Sequence, residues 1–141
     1  MKLTIFLFLL LMPASILSNP NDSDKELFVT LTSGDAETQM MAMVLATQSF
    51  NQGVQVRILL CSEAGELSLK ESDSPVFKPA DRSPKQLLNS LIEQGITVEV
   101  CGIFLPNRDY TVDDLMENIG VASPPEVADY MNRESVKIFS L

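Results

Sequence analysis

One order of events occurs twice in this chain. Gln52-Gly53-Val54-Gln55-Val56 leads to Cys61, and Gln94-Gly95-Ile96-Thr97-Val98 leads to Cys101. Each time a helix-length segment is stopped by glycine, a β-branched run follows, and cysteine closes it. Glycine suits the residue past a helix because it enters the left-handed conformation without steric cost. Two successive βα units with this order point to a mostly parallel sheet with helices on both faces. Ligands of such sheets sit beyond the carboxyl ends of the strands. Cys61 and Cys101, the only two cysteines, both fall at such ends.

The remaining segments extend the alternation. Leu27 to Thr32 reads as a first strand, and Ser33-Gly34-Asp35 as a turn in which Ser33 or Asp35 caps a helix from Glu37 to Gln52. Met40 to Ala46 is apolar almost all round, so length and capping decide for helix. Val54 to Cys61 alternates and then becomes continuously apolar, like a strand buried on both faces. Ser62 to Arg82 is a long polar connection, and loops of that length often carry function. Ser83-Pro84-Lys85-Gln86 opens a helix with a capping-box pattern, and Leu87, Leu88, Leu91 and Ile92 form its apolar stripe. Thr111 to Asp114 starts a short helix carrying Leu115, Met116 and Ile119 and ending at Gly120. Ser123-Pro124-Pro125-Glu126 starts another carrying Val127, Ala128 and Met131. Ser135 to Ser140 is a last strand. The expected architecture is a single three-layer α/β/α domain with a mostly parallel sheet of about five strands.

The N-terminus addresses compartment. Met1 and Lys2 precede an apolar run from Leu3 to Met12, shorter than the roughly 20 residues a membrane-spanning helix needs. Pro13, Ala14 and Ser15 break the run and Ser18 offers a small residue for cleavage. This is the pattern of a secretory signal peptide over 1–18, with an uncleaved anchor as the rival reading. It leaves a domain over 19–141, exported to a periplasm or secreted, with no stable membrane insertion after cleavage. Losing Lys2 moves the formal charge from −9 to −10. So acidic a chain repels nucleic acid and anionic lipid.

The chain contains no histidine, so neither a Ser-His-Asp nor a Cys-His centre can be built from it. Cysteine is left as the chemistry-bearing residue. A thiolate is the sulfur nucleophile, and positive potential favours it. The turn at Gly34 supplies a helix N-terminus near the sheet edge, Gly102 allows close approach to Cys101, and Arg108 brings a cation in the same loop. Cys101 can equally pack as a small hydrophobe. Cys61 leaves three readings open: a structural disulfide with Cys101, a reversible redox pair, or a buried and less reactive thiol. The pair can bond only if the two strands are neighbours, since an intervening strand sets them roughly 10 Å apart. Met40, Met41 and Met43 read as helical core ahead of a soft-metal site, and Asp113 and Asp114 as caps. Lys70, Lys78, Arg82 and Lys85 gather around the long loop, solvated or as an anion-facing lid. No metal or cofactor is expected.

From Leu27 to Leu141 the order of features resembles the DsrE/DsrF family, which includes the TusD sulfur-relay subunits. The features are Thr32-x-Gly34 at the end of the first strand, Glu63-Ala64-Gly65 in the long loop, Gly95-Ile-Thr-Val-Glu-Val-Cys101, then Arg108, a short acidic-capped helix, Gly120-Val121 and a terminal strand. The resemblance implies that Cys101 carries a persulfide, receiving sulfur from a donor protein or passing it to an acceptor. It also implies a homo-oligomer, trimeric or hexameric. The alternative is a binding or assembly module that keeps the fold without the chemistry, or a Cys61/Cys101 thiol-disulfide protein. Ile103, Phe104 and Leu105 are either part of a subunit interface or core.

Overall fold

A computed structural model describes residues 25–141, so the signal-peptide reading and its boundary at residue 18 lie outside the described residues. Five strands form one parallel sheet: β1 (Glu26–Leu31), β2 (Gln55–Leu60), β3 (Thr97–Cys101), β4 (Ile119–Ala122) and β5 (Val136–Ser140). Three helices accompany them: α1 (Ala36–Asn51), α2 (Pro84–Glu93) and α3 (Pro124–Met131). The strand order is β4-β3-β2-β1-β5.

That order fixes where the helices go. The chain steps in one direction from β1 to β4 and then returns across the sheet to β5. Parallel crossovers are right-handed, so a reversal of direction puts the connection on the opposite face. Accordingly α1 and α2 cover one face, where Val29, Leu31, Val56, Ile58, Leu60 and Val98 meet Met43, Leu88 and Leu91 in the main core. Helix α3 lies alone on the other face, where Phe28, Leu59, Ala122 and Tyr130 form a smaller cluster.

Local chemistry sets the boundaries. Asp35 caps α1, accepting a hydrogen bond from the Thr38 amide at 2.8 Å. The Ser83–Gln86 capping box closes reciprocally around the start of α2. Gly53 and Gly95 stop α1 and α2 with φ of +83° and +86°, the left-handed region that favours glycine.

The segment after β3 departs from expectation. Residues 112–114 make only one 3₁₀ turn, closed by Thr111 and Asp114. Leu115 and Met116 turn into the core instead of continuing a helix. Ile119 to Ala122 is β4, pairing in parallel with Val98 to Cys101. Gly120 is thus a strand residue, not a helix stop. A Cβ there would meet the Glu99 Cγ at 3.3 Å. The long connection also differs: Ser62–Ser68 is 3₁₀, and Ala64, Gly65, Leu67 and Ser68 are buried. Of the methionines, Met43 is core whereas Met41 lies exposed on the outer side of α1.

Candidate functional site

Adjacent strands β2 and β3 run in register up to the pair Leu60–Val100. Cys61 and Cys101 stand one residue beyond it, about one interstrand spacing of 4.8 Å apart. The condition for contact between them is therefore met, because no strand intervenes. Side chains alternate along a strand, and Leu59 and Cys61 share the thin face with α3. The two thiols are near each other. Both are free and both are partly buried. Burial, then the hydrogen bond and charge of Cys101, push the Cys61 thiol up to about 12. Its proton is therefore held at neutral pH.

Cys101 also lines a cleft of about 280 Å³ with Gly102, Ala122, Pro124, Val127 and Met131. The topology explains this cleft. The β3–β4 connection packs Leu115 and Met116 on the thick face. The next connection leaves β4 for the thin face as α3. Where neighbouring strands send their chains to opposite faces, a crevice opens beyond their carboxyl ends. Its walls are almost wholly apolar. A second cleft, of about 320 Å³, is lined by Glu66, Glu71, Asp113 and Asp114 together with Lys70 and Tyr110. Its carboxylates disfavour anionic sulfur ligands.

Of the other sequence-selected residues, Gly102 lines the cleft with Cys101, and Arg108 turns elsewhere. Gly34 ends the β1 side, two strands from β3 and so roughly 10 Å across the sheet. A Cβ at Gly34 would meet the Glu63 Cβ at 2.8 Å, so a close approach requires glycine there. The α1 amide terminus is occupied by Asp35, whose carboxyl is held low by the Thr38 hydrogen bonds. Gly102 does border Cys101, and a Cβ there would sit 3.0 Å from the Ala122 carbonyl oxygen. Arg108 lies over the Phe104 ring at 4.8 Å and pairs with Glu66 at 3.5 Å.

The cations around the long loop are engaged by neighbouring backbone and side chains. The Lys85 Nζ donates to the Lys70 and Ser72 carbonyls, both at 2.8 Å, and burial lowers its pKa. The Lys70 Nζ donates to the Asp113 carbonyl, and Arg82 donates to the Ser90 hydroxyl. The chain is thus tied down by its own lysines. Among the described residues no group of three or more His, Cys, Asp or Glu side chains could hold a metal ion.

Three features were not given a role at the site from sequence. Gly65 lies flat against Phe104, whose ring props the turn after Cys101. Its signal was the Glu63-Ala64-Gly65 motif. Val127 and Met131 form the cleft wall, signalled only as apolar residues of a short helix. On the thin face Arg57 and Glu99 pair at 2.6 Å, with side chains 16% and 13% exposed. The Arg57 guanidinium also covers the Tyr130 ring at 4.8 Å. A charge at alternate positions of two apolar strands is the trace of that pair.

No family model matches the chain. A curated relative, the uncharacterized protein MJ0760 of Methanocaldococcus jannaschii, is 24% identical over 114 residues, which are 79% of this chain. The chain spans 42% of that relative's length. Among solved structures, the ychN protein of E. coli is similar at a TM-score of 0.66 and 19% identity, covering 82% of this chain and 98% of that one. MTH1491 of Methanobacterium thermoautotrophicum, a protein of unknown function, is similar at a TM-score of 0.62 and 15% identity, covering 83% and 99%. Both neighbours have the DsrE/DsrF-like fold, and this chain shares that fold.

Proposed function

We propose that the protein handles sulfane sulfur, carrying it as a persulfide on Cys101 and passing it to a partner. The observation that carries this reading is Cys101 at the wall of an apolar cleft beyond the β3 and β4 ends, with a second thiol beside it. The DsrE/DsrF-like fold supports it. In the loading step the Cys101 thiolate forms an S–S bond with the outer sulfur of thiosulfate, and sulfite leaves with the electron pair of the broken S–S bond. An apolar cleft limits water and competing thiols around the bound sulfur. Gly102 leaves the backbone low enough for an acceptor to approach.

The test is to incubate the reduced protein with thiosulfate or polysulfide and measure intact mass. Gain of one sulfur atom, abolished by Cys101→Ser, is the expected result. Absence of any adduct on a reduced and accessible Cys101 leaves a binding or assembly module instead. The contact between the thiols favours a second reading, a thiol-disulfide protein. Loss of two hydrogens under a mild oxidant without sulfur uptake would select it.

The same reading has the protein exported and assembled as a trimer or hexamer. Met41, Val44 and Leu45 supply an exposed apolar stripe on α1, and Ile103 is 70% exposed, whereas Phe104 and Leu105 are core. N-terminal sequencing of the exported product tests cleavage after Ser18. Light scattering that gives a monomer mass at micromolar concentration rules out the assembly.

A further inference from the structure

The persulfide reading gives a role to Cys101 alone, yet Cys61 stands beside it on the neighbouring strand. We propose that Cys61 is the resolving thiol of this site, displacing the outer sulfur of a Cys101 persulfide to close a Cys61–Cys101 disulfide and release hydrosulfide. The inference rests on the persulfide reading and extends it to the product, inorganic sulfide, and to a discharge step needing no second protein.

Three observations carry it. First, the register places the two residues side by side, one step beyond Leu60–Val100. The spacing of about 4.8 Å lies inside the Cα range a disulfide tolerates, about 4.4–6.8 Å. Second, displacement at sulfur needs nucleophile and leaving group on opposite sides. The sheet order is β4-β3-β2, so Cys61 approaches Cys101 from the β2 side. The cleft runs from Leu59 of β2 past Cys101 to Gly102, Ala122 and α3, so it extends beyond Cys101 on the side away from β2, and Cys61 is not among its lining residues. An outer sulfur held in that cleft is positioned to leave. Third, the chain has no histidine to serve as a base. The persulfide supplies that function itself, because its terminal S⁻ accepts the Cys61 proton.

The atoms balance. Cys101–S–S⁻ and Cys61–SH give the Cys61–Cys101 disulfide and HS⁻. The S–S bond to the outer sulfur breaks, the S–S bond between the cysteines forms, and the proton of Cys61 departs on hydrosulfide. An external dithiol then reduces the disulfide, restoring both thiols and becoming a disulfide itself. The Cys61 thiol, pushed up to about 12, retains its proton until the loaded neighbour removes it.

The experiment loads the reduced protein with sodium polysulfide, removes excess reagent, and follows intact mass and hydrosulfide over time. In the wild type the mass first rises by one sulfur. It then falls to a value two hydrogens below the reduced protein as one hydrosulfide per chain appears, at a rate independent of protein concentration. Cys61→Ser holds the added sulfur about tenfold longer or more, and Cys101→Ser takes none. Peptide mapping of the wild type finds Cys61 joined to Cys101 within one chain. A wild-type adduct as durable as that of Cys61→Ser overturns the inference while leaving the persulfide reading intact, as does a disulfide only between chains. If the wild type takes up no sulfur, both fall. Should Cys61→Ser misfold, the wild-type mapping and concentration dependence decide.

Discussion

Substituting Gly65 by alanine probes the packing that supports the thiol strand. A Cβ at position 65 would lie 2.3 Å from the Cδ2 and Cε2 atoms of Phe104 and 2.8 Å from its Cγ. Carbon atoms in contact prefer at least about 3.5 Å, so the ring must retreat by about 1.2 Å. It has little room to do so. Phe104 is buried, Tyr110 stacks on it at 6.1 Å between centroids, and Arg108 covers it. The Phe104 amide also donates to the Cys101 carbonyl at 2.8 Å, so movement of the ring strains the turn that carries Cys101. Overpacking of this kind costs about 1–3 kcal/mol, and so deep an overlap belongs near the upper end. For a domain of this size that is a fall in melting temperature of about 10 °C. Thermal unfolding by circular dichroism reads it. Gly53→Ala is the comparison, since its Cβ meets nothing within 4 Å and only its φ of +83° is penalised, by about 1–2 kcal/mol. Phe104→Leu in the Gly65→Ala background should restore part of the loss, giving an interaction energy above about 0.5 kcal/mol. A Gly65→Ala protein that melts with the wild type, or losses that simply add, would refute the close-packing argument.

Three further outcomes are expected. At pH 8 iodoacetamide marks Cys101 before Cys61. Labelling of Cys61 rises about tenfold per pH unit up to pH 11, because its thiolate is scarce below its pKa of about 12; peptide mass that shows Cys61 labelled first contradicts this. Arg57→Met leaves Glu99 nearly enclosed without its partner at a cost of about 3 kcal/mol, and adding Glu99→Leu recovers most of the loss in urea unfolding. Burial and the hydrogen bond to Glu26 push the Tyr130 phenol up to about 12 from 10.0. The fold therefore favours the protonated phenol, and that stability is complete below pH 10 and lost as pH rises through 12. Tyr130→Phe flattens the fall in urea midpoint across that window, and an unchanged slope counts against the assignment.

Much of the framework was legible because local chemistry and tertiary structure agree. The Gly53 and Gly95 stops and the Ser83–Gln86 box read correctly from sequence, the α1 cap was narrowed to Ser33 or Asp35 and is Asp35, and the two helix-to-cysteine passages became β2 and β3. Strand β4 was not legible. Ile119-Gly120-Val121-Ala122 is four residues long with glycine inside, and its state is decided by pairing with β3. The long loop misled for a different reason. Its polar composition hid Ala64, Gly65 and Leu67, which turn inward because the 3₁₀ segment crosses the end of the core. For the site, the sequence identified Cys101 and Cys61 but could not give strand order, so their contact was undecidable before the topology. Arg108 and Gly34 lie near the thiols along the chain or at the same sheet edge. Neither proximity fixes a direction, and Arg108 turns to Glu66 and Phe104.

The location of the thiols on the thin face follows from the same reversal that creates the cleft. Only one crossover, from β4 to β5, runs over that face, and α3 in it is eight residues long. At 1.5 Å per residue it extends about 12 Å, the width of two to three strand spacings. Tyr130 anchors it over Phe28 and Arg57, toward β1 and β2. What remains over the carboxyl ends of β3 and β4 is the side of α3 bearing Val127 and Met131, set across a gap. On the thick face Val100 is fully buried at those strand ends, packed with Phe104, Leu105 and Leu115. Cys101, one residue from Val100, alternates toward the open face and lines the cleft, while it still packs against the edge of the Val100–Phe104 cluster. The register of β2 does the same for Cys61 beside it. Moving either cysteine back by one position, to the sites of Leu60 and Val100, would bury its sulfur in the thick-face core. The paired thiols and their cleft are therefore consequences of strand order, crossover handedness and side-chain alternation acting together.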